Sequence, residues 1–146
     1  MNFEFLHNHF PQCTNLTWSE IDAQIQRELK NESCRVLGEG SKLTYLLLDQ
    51  NSYPPSLSKI HQMMKNERGL KTLHVYTSKV SDGKTFGNHN DTVDVLIVQS
   101  IGNMMYNVEG KDSIILKPGD GMIIPKGMYH DPIPIEPRVT LSFSWE

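Results

Sequence analysis

The sequence has few of the features that mark disulfide-rich, secreted or membrane-spanning proteins. It contains only two cysteines, Cys13 and Cys34, which are too few for a disulfide framework and are not in C-x-x-C spacing. No apolar stretch approaches the roughly 20 residues that span a bilayer. Residues 1–5 also lack the basic-then-apolar order of a signal peptide. We therefore expect a soluble, cytoplasmic protein with reduced thiols and no membrane partner.

Basic side chains are also scarce for a protein that binds nucleic acid. The sequence has 14 basic and 17 acidic side chains, a formal net charge of −3 and no run rich in lysine or arginine. This balance argues against a nucleic-acid partner. The chain has 146 residues, which is the size of one domain, and it shows no internal repeat or long linker. We expect a single domain over residues 1–146.

The first half of the chain, residues 1–70, is predicted to be an extension of helices and strands. Thr17 and Glu20 have the spacing of a capping box, which predicts a helix start. The pattern then indicates a helix, a strand hairpin and a second helix, at about 18–31, 34–37 with 43–48, and 56–65. Residues 1–16 are predicted to be irregular or a short strand, and a surface position is favoured for the His7 and His9 pair over metal binding.

Residues 71–146 carry the pattern of an antiparallel barrel or sandwich. Short segments of strand character alternate with turns, at 72–80, 93–100, 104–108, 113–116, 121–124 and 138–145. In the last segment, Val139, Leu141, Phe143 and Trp145 alternate with small hydroxyl residues, so one face is apolar and the other is polar. The proline-dense stretch 131–137 is predicted to be an extended loop at the rim of a site.

Three residues in this second half have the composition of a metal site. His89 and Asp91 are two apart, so on an extended chain their side chains point to the same side. His130 follows a Pro-Gly-Asp turn, the apolar residues 122–124 and a second turn at Pro125-x-Gly127, which together predict a short buried strand between two turns. Two imidazoles and one carboxylate form a ligand set that holds one face of a metal octahedron and leaves the opposite face open.

These segments resemble a known family. The pattern Gly119-Asp120-x-x-x-Ile124-Pro125-x-Gly127-x-x-His130 is similar to the second motif of the cupins, which are small jelly-roll barrels. The segment from Phe86 to Gly102, with its H-x-D, apolar strand, Gln and Gly, resembles the JmjC-like branch of the Fe(II)/2-oxoglutarate oxygenases. The resemblance covers about residues 72–145.

The resemblance implies a mainly β fold, a double-stranded β-helix (jelly-roll or cupin) barrel with one or two N-terminal helices. It also implies that His89, Asp91 and His130 are ligands of Fe(II), and that 2-oxoglutarate is a co-substrate. Its oxidative decarboxylation to succinate would accompany hydroxylation or demethylation of a second substrate. No catalytic residue is expected beyond the metal ligands.

One position departs from the family pattern. JmjC-like hydroxylases usually have Lys or Arg two residues after the Gly, where it pairs with the distal carboxylate of 2-oxoglutarate, but this sequence has Met104. A buried carboxylate needs a cation or several donors. Arg138, in an Arg-x-Thr setting with Thr140, is the first candidate for this role, although a solvated arginine at the start of a strand is an equal alternative. Lys84 and Tyr106 are secondary candidates.

The identity of the second substrate is open at this point. His74 and Tyr76 share one face of a predicted strand and are candidates for the substrate pocket, although a structural histidine is the simpler interpretation. A small molecule and a peptide side chain are both compatible with the sequence, as is a homodimer. The alternative function is a metal-binding cupin without 2-oxoglutarate chemistry: an isomerase, a different dioxygenase or a ligand-binding module.

Overall fold

The computed structural model of the protein describes all 146 residues and contains two helices and ten strands. The helices are α1 (Trp18–Asn31) and α2 (Pro55–Arg68), and single 3-10 turns occur at Pro11–Thr14 and Gln50–Ser52. The strands are β1 (Glu4–Leu6), β2 (Arg35–Leu37), β3 (Thr44–Leu47), β4 (Thr72–Ser78), β5 (Val95–Ile101), β6 (Met104–Val108), β7 (Ile114–Leu116), β8 (Gly121–Ile124), β9 (His130–Pro134) and β10 (Arg138–Ser144). Neither helix is long and apolar enough to cross a membrane.

All strand pairs are antiparallel and form two sheets. The larger sheet has the order β1-β8-β5-β10-β4-β3-β2, and the smaller one has the order β7-β6-β9. One apolar cluster packs both helices against the larger sheet, and a second cluster joins the two sheets. In β5, Leu96 and Val98 belong to the first cluster, while Val95 and Ile97 belong to the second. This alternation follows from the two-residue period of a strand that is buried on both faces.

Both predicted helices are present, and their ends have the expected chemistry. The Thr17 hydroxyl accepts a hydrogen bond from the Glu20 amide at 3.2 Å, and the Glu20 carboxylate accepts one from the Thr17 amide at 3.3 Å. This reciprocal pair is the predicted capping box. Helix α2 ends at Gly69, which adopts the left-handed conformation expected of a helix-terminating glycine.

The capping box gives a first prediction about stability. We expect Thr17→Ala to lower the free energy of unfolding by about 1 kcal/mol, because the first turn of α1 loses its side-chain acceptor. Chemical denaturation with an unchanged m-value would measure this loss. Ser19→Ala is a matched control, since Ser19 is exposed in the same turn and makes no side-chain hydrogen bond. Equal losses in the two variants would contradict a capping role.

The prediction of a loop at 131–137 is wrong for its first part, because residues 130–134 form strand β9. Pro132 and Pro134 are compatible with this strand because β9 lies at the edge of the smaller sheet. On the outer side of an edge strand, no neighbouring strand needs the backbone N–H that a proline lacks. The expected contribution to the site is retained, since Pro132 lines the cavity described below.

Candidate metal centre

His89, Asp91 and His130 converge at one point near the mouth of the barrel. Each of the three side chains offers one ligand atom, and these atoms all lie within 4.8 Å of one another. The His130 Nε2 atom is 3.4 Å from Asp91 Oδ2, and the His89 Nε2 atom is 3.9 Å from Asp91 Oδ1. The three residues predicted as metal ligands are therefore brought together, although 39 or more residues separate His130 from the other two.

Backbone hydrogen bonds hold the two halves of the cluster in register. The amide of His89 donates to the carbonyl of His130 at 3.0 Å, and the amide of His130 donates to the carbonyl of His89 at 2.8 Å. Two such bonds form the hydrogen-bonded pair of an antiparallel ladder. A third bond runs from the Gly127 amide to the Asp91 carbonyl at 2.9 Å. Gly127 has φ of +83°, which lets the chain turn back from β8 toward β9.

The orientation of both imidazoles is fixed by the nitrogen that faces away from the cluster. His89 Nδ1 lies 2.7 Å from the Gly87 carbonyl, and His130 Nδ1 lies 3.1 Å from the Met128 carbonyl. A carbonyl can only accept, so each Nδ1 carries the proton and donates it. The Nε2 atoms of both rings consequently face Asp91, and each can bind a metal when it carries no proton, as a metal-binding histidine requires.

The third ligand is ionised at neutral pH. A hydrogen bond from His130, together with the charge of His130 and His89 when they are protonated, holds the pKa of Asp91 below its usual value, although partial burial opposes this shift. The cluster thus combines one carboxylate with two imidazoles whose Nε2 atoms face it.

This donor set fits a divalent transition metal. Ligands about 2.1 Å from an ion and at right angles to each other are about 3 Å apart, so the observed separations need only small side-chain movements to close around a cation. His130 is buried, whereas His89 and Asp91 are about one-third exposed on the cavity side. The protein would hold one face of the ion and leave the other face open to the cavity.

A cavity of about 180 Å³ extends from the cluster into the barrel. Its walls are formed by polar residues from the larger sheet and by apolar residues near the metal ligands. The polar wall consists of Thr72, His74, Tyr76, Arg138, Thr140, Ser142 and Ser144, with Tyr106 from β6 and Thr85 from the segment before His89; the apolar wall consists of Phe86, Val93, Val95, Ile97 and Pro132. The hydroxyl face of β10 therefore faces the cavity, and its apolar residues pack beneath the helices.

Arg138 is a buried cation without an anionic partner. Only 3% of its surface is exposed, and none of the ion pairs of the structure includes it. Burial raises the pKa of Tyr76 to about 12 and also raises the pKa of Tyr106, so neither phenol neutralises the guanidinium. Burial lowers the pKa of Arg138 itself, yet an arginine remains charged at neutral pH. An unpaired buried charge is costly, which points to an anionic ligand in the cavity.

A hydrogen-bond chain orients this guanidinium. Arg138 Nη1 donates to the Thr140 hydroxyl at 3.1 Å, and that hydroxyl donates to Gln99 Oε1 at 2.8 Å. Gln99 is itself held by its Nε2, which donates to the Ile101 carbonyl at 3.0 Å. The Nε atom of Arg138 is buried and has no partner. Thr140 thus holds Nη1 of the guanidinium, and no protein group satisfies the buried Nε.

The other predicted site residues fall into two groups. Tyr106, Thr140, His74 and Tyr76 line the cavity as expected, and their roles in ligand binding stay predictions. Burial lowers the pKa of His74, so its imidazole is neutral at neutral pH. Lys84 does not line the cavity, because its exposed side chain lies on a neighbouring groove beyond Phe86. We therefore do not retain Lys84 as a 2-oxoglutarate residue.

Met104 occupies the position of the family cation and is fully buried in the apolar cluster between the sheets. It adds no polar group to the cavity. Gln99 and Phe86 belong to the site, although the sequence alone gave them no role. The contribution of Gln99 to the site follows from its position opposite Thr140 in the ladder of β5 and β10. The sequence does not specify this strand register.

The two-sheet antiparallel barrel is a double-stranded β-helix (jelly roll), which confirms the predicted fold class. The H-x-D pair and the distant histidine lie together at its mouth. The sequence matches no protein-family model and no curated protein sequence. The evidence for the fold therefore comes from the structure.

The particular likeness is to the ribosomal oxygenase YcfD from Escherichia coli. A YcfD structure in complex with cobalt and succinic acid aligns with 99% of this chain at a TM-score of 0.79 and 18% identity. A second YcfD structure also covers 99% of the chain, with a TM-score of 0.79 and 16% identity. A third, in complex with cobalt and 2-oxoglutarate, covers 75% of the chain with a TM-score of 0.63 and 22% identity. The present chain spans about half the length of YcfD, with 48% and 50% covered in the first two alignments.

Proposed function

We propose that the protein is an Fe(II)- and 2-oxoglutarate-dependent oxygenase of the hydroxylase or demethylase type. The observation that carries this proposal is the pairing of an open His89-Asp91-His130 cluster with a buried, unpaired Arg138 in one cavity. A ligand with an acid group at each end suits such a cavity, because one end can reach the metal and the other can pair with the guanidinium. The YcfD structures in complex with cobalt and either 2-oxoglutarate or succinic acid support the same proposal.

The residues of the chain have distinct tasks in this proposal. His89, Asp91 and His130 hold the ion, and the Nδ1 bonds to Gly87 and Met128 keep the rings in place. Arg138, which lines the cavity, pairs with the distal carboxylate of 2-oxoglutarate. Thr140 cannot donate to that carboxylate because its proton is committed to Gln99, so it acts by orienting Arg138.

The remaining walls control access and orientation. Val93, Val95 and Ile97 line the cavity with apolar surface, which limits the water near the reacting groups. The phenol of Tyr106 is buried close to Arg138 and can donate to the same carboxylate. Iron(II) held by the three ligands would supply the activation of O2, with one oxygen atom passing to succinate as 2-oxoglutarate loses CO2 and the other passing to the second substrate.

Anaerobic spectroscopy tests the proposal directly. Addition of Fe(II) and then 2-oxoglutarate to the protein should produce a metal-to-ligand charge-transfer band, and admission of oxygen should then yield succinate. Two outcomes would contradict the oxygenase proposal. One is succinate that forms without the charge-transfer band, and the other is a band that is followed by no succinate even with saturating substrate candidates. Intact iron binding with neither band nor succinate would instead favour a metal-binding cupin that acts as an isomerase, another dioxygenase or a ligand-binding module.

A further inference from the structure

A second concave surface lies directly beside the cavity. It is a groove of about 450 Å³ between strand β2 and the segment that precedes His89, and it is lined by Arg35, Val36, Leu37, Gly38, Lys84, Thr85, Phe86 and Gly87. Thr85 and Phe86 also line the cavity, so the two spaces share a wall. The Phe86 ring meets His89 edge-on at 5.9 Å and Tyr76 at 6.2 Å. A ligand that crosses Phe86 would therefore reach from the metal ligands into the groove.

The strand register places the groove on the same face of the sheet as the cavity. Arg35 is opposite Leu46, Leu46 is opposite Tyr76, and Tyr76 is opposite Thr140. Residues that are directly opposite in a ladder share one face. Arg35 is two strands from Tyr76, which is about 10 Å at the usual spacing of strands. An extended peptide covers this distance with about three residues.

The groove has a definite charge. Its lining contains two cations, Arg35 and Lys84, and no acidic side chain. Neither cation forms an ion pair. The Arg35 guanidinium lies 5.0 Å from the centre of the Phe86 ring, which holds it at the shared wall. Exposed Phe86 adds apolar surface beside the charges. A ligand for this groove would combine a carboxylate with an extended apolar backbone.

We propose that the second substrate is a peptide segment that binds in this groove in an extended conformation, with an acidic residue about three residues from the one whose side chain enters the cavity. The proposal rests on the proposed function and narrows its substrate class from a small molecule or peptide to an acidic peptide. It also gives Lys84 a role outside the 2-oxoglutarate site. β2 is the edge strand of the larger sheet, so its outer backbone groups can pair with such a segment.

The test measures binding separately from turnover. Two fluorescent peptide pools have equal length and the same uncharged residues at their constant positions. At the variable positions, one pool contains Asp and Glu and the other contains Lys and Arg. Anisotropy titrations of the full chain loaded with Mn(II) should give a dissociation constant for the acidic pool that is lower than that for the basic pool by about fivefold or more. Added salt should reduce this difference. Peptides with a single Glu moved along a neutral sequence should bind best at one spacing from the residue that occupies the cavity.

Charge-reversal variants locate the effect. Arg35→Glu and Lys84→Glu should each remove or invert the preference for the acidic pool, and the milder Arg35→Gln should reduce it if reversal harms folding. Lys59→Glu is the matched control, because Lys59 is exposed on α2, which packs on the opposite face of the sheet. Equal affinity for both pools, or equal effects of Lys59→Glu and Arg35→Glu, would overturn the proposal.

Two further outcomes separate this proposal from the one on which it rests. Selective binding of acidic peptides through Arg35 without succinate formation would support the groove and contradict the oxygenase function. Succinate formation with no preference between the peptide pools would support the oxygenase and contradict the groove.

Discussion

Replacement of Asp91 by alanine is expected to weaken metal binding by at least about 100-fold, since loss of a direct ligand should exceed the 10- to 100-fold effects that follow loss of an outer-shell partner. The variant removes the only carboxylate of the cluster and leaves the two imidazoles. Succinate formation should fall with metal occupancy. Calorimetric titration with Fe(II) under anaerobic conditions, or with Mn(II) in air, measures the change.

The same variant should have little effect on folding without metal. Asp91 is about one-third exposed, and the ion pairs of its side chain are those with the two histidines at 3.4 and 3.9 Å. Partial loss of a partner for buried His130 should cost about 1 kcal/mol. Asp82→Ala is a suitable control, because it removes the same charge from an exposed ion pair with Lys42. A loss of stability in Asp91→Ala as large as its loss of metal-binding free energy would indicate a structural role for this carboxylate.

The parts of the fold that follow from local chemistry were predictable from the sequence. The capping box at Thr17 and the terminating Gly69 fix the ends of α1 and α2 through contacts within one turn. The alternation in β10 predicts which residues are apolar and which are polar, because side chains in a strand alternate between faces. The proximity of His89 and Asp91 was also predictable, since their two-residue spacing directs both side chains to one side. Their role as metal ligands stays a prediction.

Features that depend on strand pairing were not predictable in the same way. The row formed by Arg35, Leu46, Tyr76, Thr140 and Gln99 joins five strands that are distant in sequence, and only the register of the ladders shows it. Lys84 was a plausible partner for a carboxylate by composition, yet its segment turns its side chain to the groove. The strand at residues 130–134 was missed because its prolines exclude a central strand but not an edge strand.

Replacement of Arg138 is expected to have a large effect on 2-oxoglutarate binding and none on metal binding. Arg138→Met keeps the length of the side chain and removes its charge, and Arg138→Ala also removes its volume. Loss of one partner from a buried, hydrogen-bonded ion pair typically costs about 3–5 kcal/mol. Because about 1.4 kcal/mol corresponds to a tenfold change, the affinity for 2-oxoglutarate should fall by about 100- to 1,000-fold or more. Titration of the charge-transfer band with 2-oxoglutarate measures this loss at constant iron.

The stability of the ligand-free protein separates this role from a structural one. Arg138 is buried without an anion, so its charge is expected to destabilise the empty protein, and Arg138→Met should leave the melting temperature unchanged or raise it. In the unsubstituted protein, 2-oxoglutarate with metal should raise the melting temperature, because a ligand that binds only the folded state stabilises it. That increase should be absent in Arg138→Met and partly retained in Arg138→Lys. Unaltered 2-oxoglutarate affinity in Arg138→Met would show that a different group binds the distal carboxylate. A strongly destabilised Arg138→Met variant would show that the guanidinium is needed for the fold. The absence of an ion-pair partner would then be no evidence that Arg138 binds a ligand.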